Sequence, residues 1–270
     1  MHKPKVVLIT GASSGLGKAT GEFLAARGYR VYGTARNPSR YPDFKSFPLL
    51  AMDVQQEESV SHAVNALLSR EGRIDILVNN AGVGITGPME ETPYEAVCNA
   101  METNFHGPLR VMQAVLPAMR EQGSGMVLNV TSIAGYMGLP FRGVYSASKG
   151  ALEIASEAYR MEVRPFGICV TTLAPGDYAT NIAAGRFHSP LREGSAYYES
   201  YGKSLELMNT HVKDGGDPTQ VARAVYRILS SRNPKVHYTV GSPLQRLSVR
   251  LKQLLPDTWY ERLLRNHYKL

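Results

Sequence analysis

Cysteine is nearly absent: Cys98 and Cys169 are the two in 270 residues. Both fall in segments with helix or strand patterning, so packed free thiols are expected rather than a disulfide, and with them a reducing compartment, the cytoplasm. Long hydrophobic runs are missing as well. None approaches the roughly 20 residues that span a bilayer. Lys3 and Lys5 stand near the apolar stretch Val6-Val7-Leu8-Ile9, but it is too short for a signal peptide and reads as a strand. There is no low-complexity tract, internal repeat or proline- or glycine-rich linker, which argues against a solenoid or a string of small domains. Clustered metal ligands are lacking too. His188 and His211 have no companion ligands at metal-site spacing, so no metal is expected. The formal charge is +7, unevenly spread. Past Gly241, Arg246, Arg250, Lys252, Arg262, Arg265 and Lys269 outnumber Asp257 and Glu261, leaving +4 on the tail. Such a run usually marks a solvated helical face, and without a reading module it does not predict nucleic-acid binding.

What the sequence does contain is an alternation of strand and helix patterns. Strands are expected near 5–10, 29–35, 48–53, 74–79, 125–131, 167–174 and 236–240, and helices near 15–27, 57–71, 93–102, 104–121, 143–165 and 217–231. Several strands, such as Ile74-Asp75-Ile76-Leu77-Val78, are apolar on nearly every residue, as parallel strands covered on both faces are. The expectation is an α/β fold: one doubly wound, parallel, seven-stranded sheet in a single domain over residues 1–241. A helical segment over 177–216 and an amphipathic extension over 242–270 complete the chain.

Two constellations carry chemistry. The first is Thr10-Gly11-Ala12-Ser13-Ser14-Gly15-Leu16-Gly17, a glycine-rich turn between an apolar strand and an amphipathic helix. Such a turn cradles a dinucleotide: Gly11 makes the tight turn, Gly15 admits the pyrophosphate, and Gly17 lets helix and strand pack closely. Helix-start N–H groups face the phosphates, and Ser13 and Ser14 add hydroxyl donors. The second is Tyr145 and Lys149, four apart and so on one helical face. An ammonium near a phenol favours the phenolate, which suits a residue that gives and takes a proton.

On these residues the chain resembles the short-chain dehydrogenase/reductase family in its single-domain form, from about Lys5 to Gly241. Asn79-Asn80-Ala81-Gly82 resembles the family's central motif, and Asn104, Ser132, Tyr145 and Lys149 match its catalytic four in order and spacing. Pro175-Gly176 with Thr180 resembles the segment flanking the nicotinamide. The resemblance implies that Tyr145 is the general acid or base and that Lys149 also contacts the nicotinamide ribose. It implies that Ser132 bonds the substrate oxygen and that Asn104 holds a water leading to solvent. Cofactor contacts are expected at Gly11, Ser13, Ser14, Gly15, Leu16, Gly17, Arg36, Asp53, Val54, Asn80, Ala81, Gly82, Tyr145, Lys149, Pro175, Gly176, Tyr178 and Thr180. Family members commonly pair through helices near 104–121 and 143–165, so a homodimer or homotetramer is expected.

Cofactor choice is legible after the second strand. An NAD-preferring site would place an acid there, whereas Ala35 is followed by Arg36. A guanidinium can hold a 2′-phosphate, so NADP (NADPH) is expected. Tyr178, Phe187, Tyr197, Tyr198, Tyr201, Leu205, Leu207 and Met208 crowd the 177–216 segment. They suit a bulky apolar ketone, aldehyde or alcohol that is steroid-, retinoid- or lipid-like, or they pack the segment onto its own core. The expected function is an NADP-dependent oxidoreductase interconverting carbonyl and alcohol. The competing class is a catalytically silent dinucleotide sensor or scaffold. Leu244, Leu247, Leu251, Leu254 and Leu255 recur at helical spacing, Pro256 ends that segment, and Trp259, Leu263 and Leu264 follow. Packing on the protein body is expected for this face, ahead of a partner subunit or an anionic membrane surface.

Overall fold

The computed structural model describes residues 3–178, 185–213 and 215–270. The first half runs β1 (Val6–Ile9), α1 (Gly15–Ala25), β2 (Arg30–Ala35), β3 (Leu49–Ala51), α2 (Glu57–Glu71), β4 (Ile76–Asn79), β5 (Ile85–Thr86), α3 (Tyr94–Met101) and α4 (Gly107–Glu121). The second half runs β6 (Gly125–Val130), α5 (Gly143–Val163), β7 (Ile168–Pro175), β8 (Phe187–His188), α6 (Tyr198–Lys213), α7 (Pro218–Leu229), β9 (His237–Val240), α8 (Pro243–Leu254) and α9 (Asp257–Tyr268). Seven strands form one sheet in the order β3-β2-β1-β4-β6-β7-β9. Every pair is parallel. The order reverses beside β1, between β1 and β4, where an open parallel sheet leaves a crevice at its carboxyl edge.

Apolar residues at every position of β1 and at Ile76, Leu77 and Val78 of β4 are explained by the two cores they serve. One face joins Val6, Leu8 and Leu77 to Val64, Leu67, Val111 and Val115 of α2 and α4. The other joins Val7, Ile9 and Val78 to Leu24, Val221, Val225 and Ile228 of α1 and α7. Alternate side chains point to opposite faces, so a strand covered on both sides has no polar positions to spare.

Three features differ from the sequence expectation. Helices α3 and α4 are joined without a break by a π-helical turn, Glu102–His106. A second, two-stranded sheet pairs β5 with β8. These strands have two residues each, too short for any alternation to register. The segment over 177–216, the lid of the site, contains α6 in keeping with its expected helical character. Cys98 is exposed rather than packed, because α3 buries only Ala100, while Cys169 is half-buried and both thiols are free.

The C-terminal extension forms two helices and lies on the body, with a different face inward than the leucine spacing indicates. Val249 and Tyr260 bury with Met137, and Leu251, Leu255 and Leu264 pack at the edge. Leu244, Leu254 and Trp259 are instead 71%, 79% and 66% exposed. The rotation is set by polar anchors. Ser242 and Gln245 close a capping box at the start of α8, and Gln245 Nε2 donates to Asp177 Oδ2 at 3.0 Å. That bond turns residues 245, 248, 249 and 252 toward the body, one face at helical spacing. Lys252 then lies 5.6 Å from the centre of the Tyr260 ring.

Tyr260 should therefore hold the extension in place. Tyr260→Ala is expected to destabilise the protein by about 3–5 kcal/mol, as for other buried aromatics cut to alanine. Urea unfolding followed by circular dichroism measures this, and an unchanged midpoint would show that the helical pair adds nothing to the fold.

Candidate active site

The turn after β1 has the shape of a dinucleotide cradle. Gly11 has φ +64°, and a Cβ there would lie 2.9 Å from the Cα of Ala81. A Cβ at Gly17 would lie 2.5 Å from Asn80 Nδ2 and 2.6 Å from the Gly11 carbonyl. Neither position accepts a side chain. Ser14, extended at φ −155°, precedes α1, and its hydroxyl makes no capping bond. The central motif is stitched to this turn. The Asn80 and Ala81 N–H groups donate to Thr10 Oγ1, both at 3.0 Å. Asn80 Nδ2 donates to the carbonyls of Thr10 at 2.9 Å and Gly11 at 3.1 Å. Narrow backbone, a free helix start and hydroxyls at Ser13 and Ser14 suit a pyrophosphate.

Arg36 is exposed at the end of β2. Val54 is buried, and Asp53 Oδ1 accepts from the Gln55 N–H at 3.0 Å, so this carboxylate also closes its own turn. Pro175 ends β7, and the Gly176 N–H donates to the Val240 carbonyl at 2.8 Å. Tyr178 does not present its ring to the cofactor cleft. It is buried in the core beside Val221 and packs over Gly216, leaving only its backbone for a ligand. Thr180 lies outside the described residues, as does the side chain of His211.

The four expected catalytic residues converge. Asn104 is fully buried in the π-helical turn; its Oδ1 accepts from the Val83 N–H at 2.8 Å, and its Nδ2 donates to the Val83 carbonyl and Ser148 Oγ. The side-chain amide is thus engaged by protein and fixes the loop after Gly82. Ser132 lies two residues past β6 and hydrogen-bonds the Tyr145 phenol. Tyr145 and Lys149 occupy the first turns of α5. A Cβ on Gly82 would fall 3.2 Å from Asn104 Oδ1 and 3.4 Å from Lys149 Nζ, which brings the cradle and the catalytic residues to one point.

Lys149 is 4% exposed, and its ammonium donates to the Val130 carbonyl at 3.0 Å. Burial lowers its pKa to about 8, against a smaller upward pull from Glu153 one turn further along α5. Glu153 is itself buried, accepting from Thr131 at 2.5 Å and Thr172 at 2.6 Å and bonding His237 at 2.8 Å. The hydrogen bond with Glu153 holds the His237 imidazole above its usual range.

Burial pushes the Tyr145 phenol above its ordinary range. Arg142 gives the largest offset, followed by the hydrogen bond from Ser132, with a smaller one from Arg186. The cationic help expected from Lys149 thus comes first from a guanidinium 5.9 Å from the Tyr145 ring centre. Arg142 and Asp177 lie 4.0 Å apart, and Tyr268 of α9 bonds Arg142. Gln245 of α8 holds the other Asp177 oxygen. The extension therefore finishes the wall of the site. Arg142, Asp177, Arg186, Gln245 and Tyr268 escaped the sequence reading. Arg142 had a signal, standing three residues before Tyr145 at the start of its helix; the others had none.

The lid divides between the two readings of its apolar residues. Tyr201 and Met208 are 1% and 3% exposed and pack inward, whereas Phe187 and Tyr198 are 37% and 44% exposed. His188 Nδ1 lies 2.8 Å from Thr86 Oγ1, a structural contact across the small sheet. Among the described residues no group of His, Cys, Asp and Glu side chains could hold a metal ion.

Comparison with known proteins agrees with this geometry. Residues 5–190 match the family model described as short chain dehydrogenase. A protein of Bacteroides thetaiotaomicron named 3-ketodihydrosphingosine reductase is 40% identical over 269 residues, covering 99% of both chains. The crystal structure of a short-chain dehydrogenase from Streptomyces avermitilis superposes with a TM-score of 0.85 at 33% identity, over 98% of this chain and 99% of that one. A short-chain dehydrogenase from Burkholderia cenocepacia, crystallised in complex with NADP, gives 0.77 at 26% identity over 98% and 99%. With its parallel seven-stranded sheet, its glycine cradle and Ser132, Tyr145 and Lys149 gathered beside it, this chain belongs to the short-chain dehydrogenase/reductase family of oxidoreductases.

Proposed function

We propose that this protein is an NADP(H)-dependent oxidoreductase that interconverts a ketone or aldehyde and an alcohol on a bulky, lipid-like molecule. One observation carries the reading: the Tyr145 phenol, bonded to Ser132, stands on the same helix as a buried Lys149 whose ammonium adjoins the cofactor cradle at Gly82. The dinucleotide, when bound, supplies or accepts the hydride. Gly11, Gly15 and Gly17 leave room for its pyrophosphate, and Lys149 and the backbone at Pro175–Gly176 would flank its nicotinamide end. Ser132 holds the substrate oxygen by hydrogen bond, and Tyr145 Oη gives it a proton during reduction and recovers one during oxidation. A tyrosine kept above its ordinary range by burial remains protonated at neutral pH, as a proton donor must. The relative named for a keto-lipid substrate and the exposed Phe187 and Tyr198 of the lid support a long apolar substrate.

Exposed Ile154 and Met161, 71% and 70% accessible on α5, favour self-pairing through this helix and α4. Light scattering should give at least a dimer, and Ile154→Glu with Met161→Glu should shift it toward monomer. A monomeric mass for the unmutated chain would refute the pairing.

Tyr145→Phe is expected to abolish carbonyl reduction while NADPH still binds, because the ring stays and the transferable proton goes. Steady-state turnover of a long-chain ketone and NADPH fluorescence titration measure the two effects; near-unmutated kcat would remove Tyr145 from its role.

Arg36→Asp should reverse the cofactor preference. It removes a partner for the 2′-phosphate and adds a repelling carboxylate, each worth about 1.5–3 kcal/mol as for bonds to charged groups, so the ratio of kcat/KM values should move more than about tenfold toward NADH. Equal kcat/KM for NADPH and NADH in the unmutated enzyme would contradict the assignment.

A further inference from the structure

Arg186 is an arginine with unused donors in a buried place. It directly precedes β8, whose pairing with β5 and whose Phe187 N–H, donating to the Gly84 carbonyl at 3.0 Å, hold it beside Gly84. Its stem lies across Gly84, where a Cβ would fall 2.9 Å from Arg186 Cγ. The residue is 9% exposed, and its Nη1 is buried without a hydrogen-bond partner among the described residues. Burying a guanidinium N–H unpaired is costly, and such groups usually meet a partner.

The carboxylate nearest to hand is already engaged. Asp177 accepts from Gln245 at 3.0 Å and lies 4.0 Å from Arg142. Two guanidinium groups and one carboxylate thus act on the Tyr145 phenol, leaving an excess positive charge beside it. Burial and the neighbouring Arg142 both work against the Arg186 charge. A bound oxyanion would relieve both penalties and fill the open N–H position in the two-pronged geometry that guanidinium offers carboxylate and phosphate.

We propose that Arg186, backed by Arg142, forms an anion-binding subsite beside Tyr145 that holds a carboxylate or phosphate borne by the substrate near its reducible carbonyl. This rests on the oxidoreductase reading above and narrows it: the substrate is a keto lipid with an acidic polar end. A neutral polar end leaves the guanidinium unpaired. The anion also offsets the pull of Arg186 on the phenol and so keeps the Tyr145 proton in place for transfer.

The test uses the full chain with NADPH and long-chain ketones of one length that differ at the polar end: carboxylate, phosphate, methyl ester and ammonium. The carboxylate or the phosphate is expected to exceed the ester in kcat/KM by about tenfold or more, the size of a charge-assisted hydrogen bond. Whichever anion leads identifies the source of the charge. Arg186→Gln should erase that advantage, so that the anion loses at least about tenfold more kcat/KM than the ester does, and Arg186→Lys should keep part of it because the charge remains without the fork. Equal values for anion and ester in the unmutated enzyme, or an equal loss on both in Arg186→Gln, would overturn the subsite. Should no ketone turn over, the oxidoreductase reading fails separately, and the subsite is still decided by binding. A saturated long-chain carboxylate should then shift the melting temperature of the unmutated chain more than its amide does, and Arg186→Gln should abolish the difference. Identical shifts for the two ligands would exclude the subsite.

Discussion

An ammonium held away from water at the carboxyl edge of a parallel sheet is the constraint around which this site is arranged. Lys149 can be buried because the Val130 carbonyl receives it and Glu153 lies one turn further along the same helix. Burying that carboxylate raises a second demand, which Thr131, Thr172 and His237 meet from β6, β7 and β9. A buried charge is tolerated when every partner is in place and costly when one is missing. Three neighbouring strands and helix α5 are therefore tied to one register by the needs of one lysine.

The same economy governs the cofactor side. Thr10 uses its hydroxyl and carbonyl, and Asn80 its amide, to lock the central motif onto the glycine turn. Gly17 then leaves no space for a side chain, and a Cβ at Gly82 would press on Asn104 and Lys149. Positions fixed by backbone contact and by bonds of about 3 Å give the preorganised geometry that proton transfer and charge stabilisation require.

The C-terminal helices have a larger part than an appendage would. Gln245 orients Asp177, and Tyr268 bonds Arg142, so the charge beside Tyr145 depends on residues more than ninety positions further along the chain. Basic residues and leucines in the tail set its outer face, but its inner face is a clamp on the active site. In this fold the segment past the last strand is free to vary without disturbing the sheet, which makes it a suitable place to adjust the electrostatics of the catalytic tyrosine.

Local patterns were enough for much of this. All seven strands and the six expected helices follow from periods of two and 3.6 and from apolar runs, because those patterns report burial on one or two faces. The glycine turn, Tyr145 and Lys149 were legible because backbone geometry and proton chemistry demand those residue types at those spacings, whereas Asn80 and Ser132 were legible through the resemblance to the family. The tertiary structure decided what depends on long-range approach. Val249, rather than Leu244 or Leu254, faces inward because Asp177 captures Gln245, a contact across 68 residues. Tyr178 turned into the core because Gly216 leaves space for its ring. The π-helical turn at Asn104 and the two-residue pairing of β5 with β8 have no period for a sequence to display. Arg142 and Arg186, 44 positions apart, act on one phenol only because the chain returns there, and no local rule records which charges a fold will bring together.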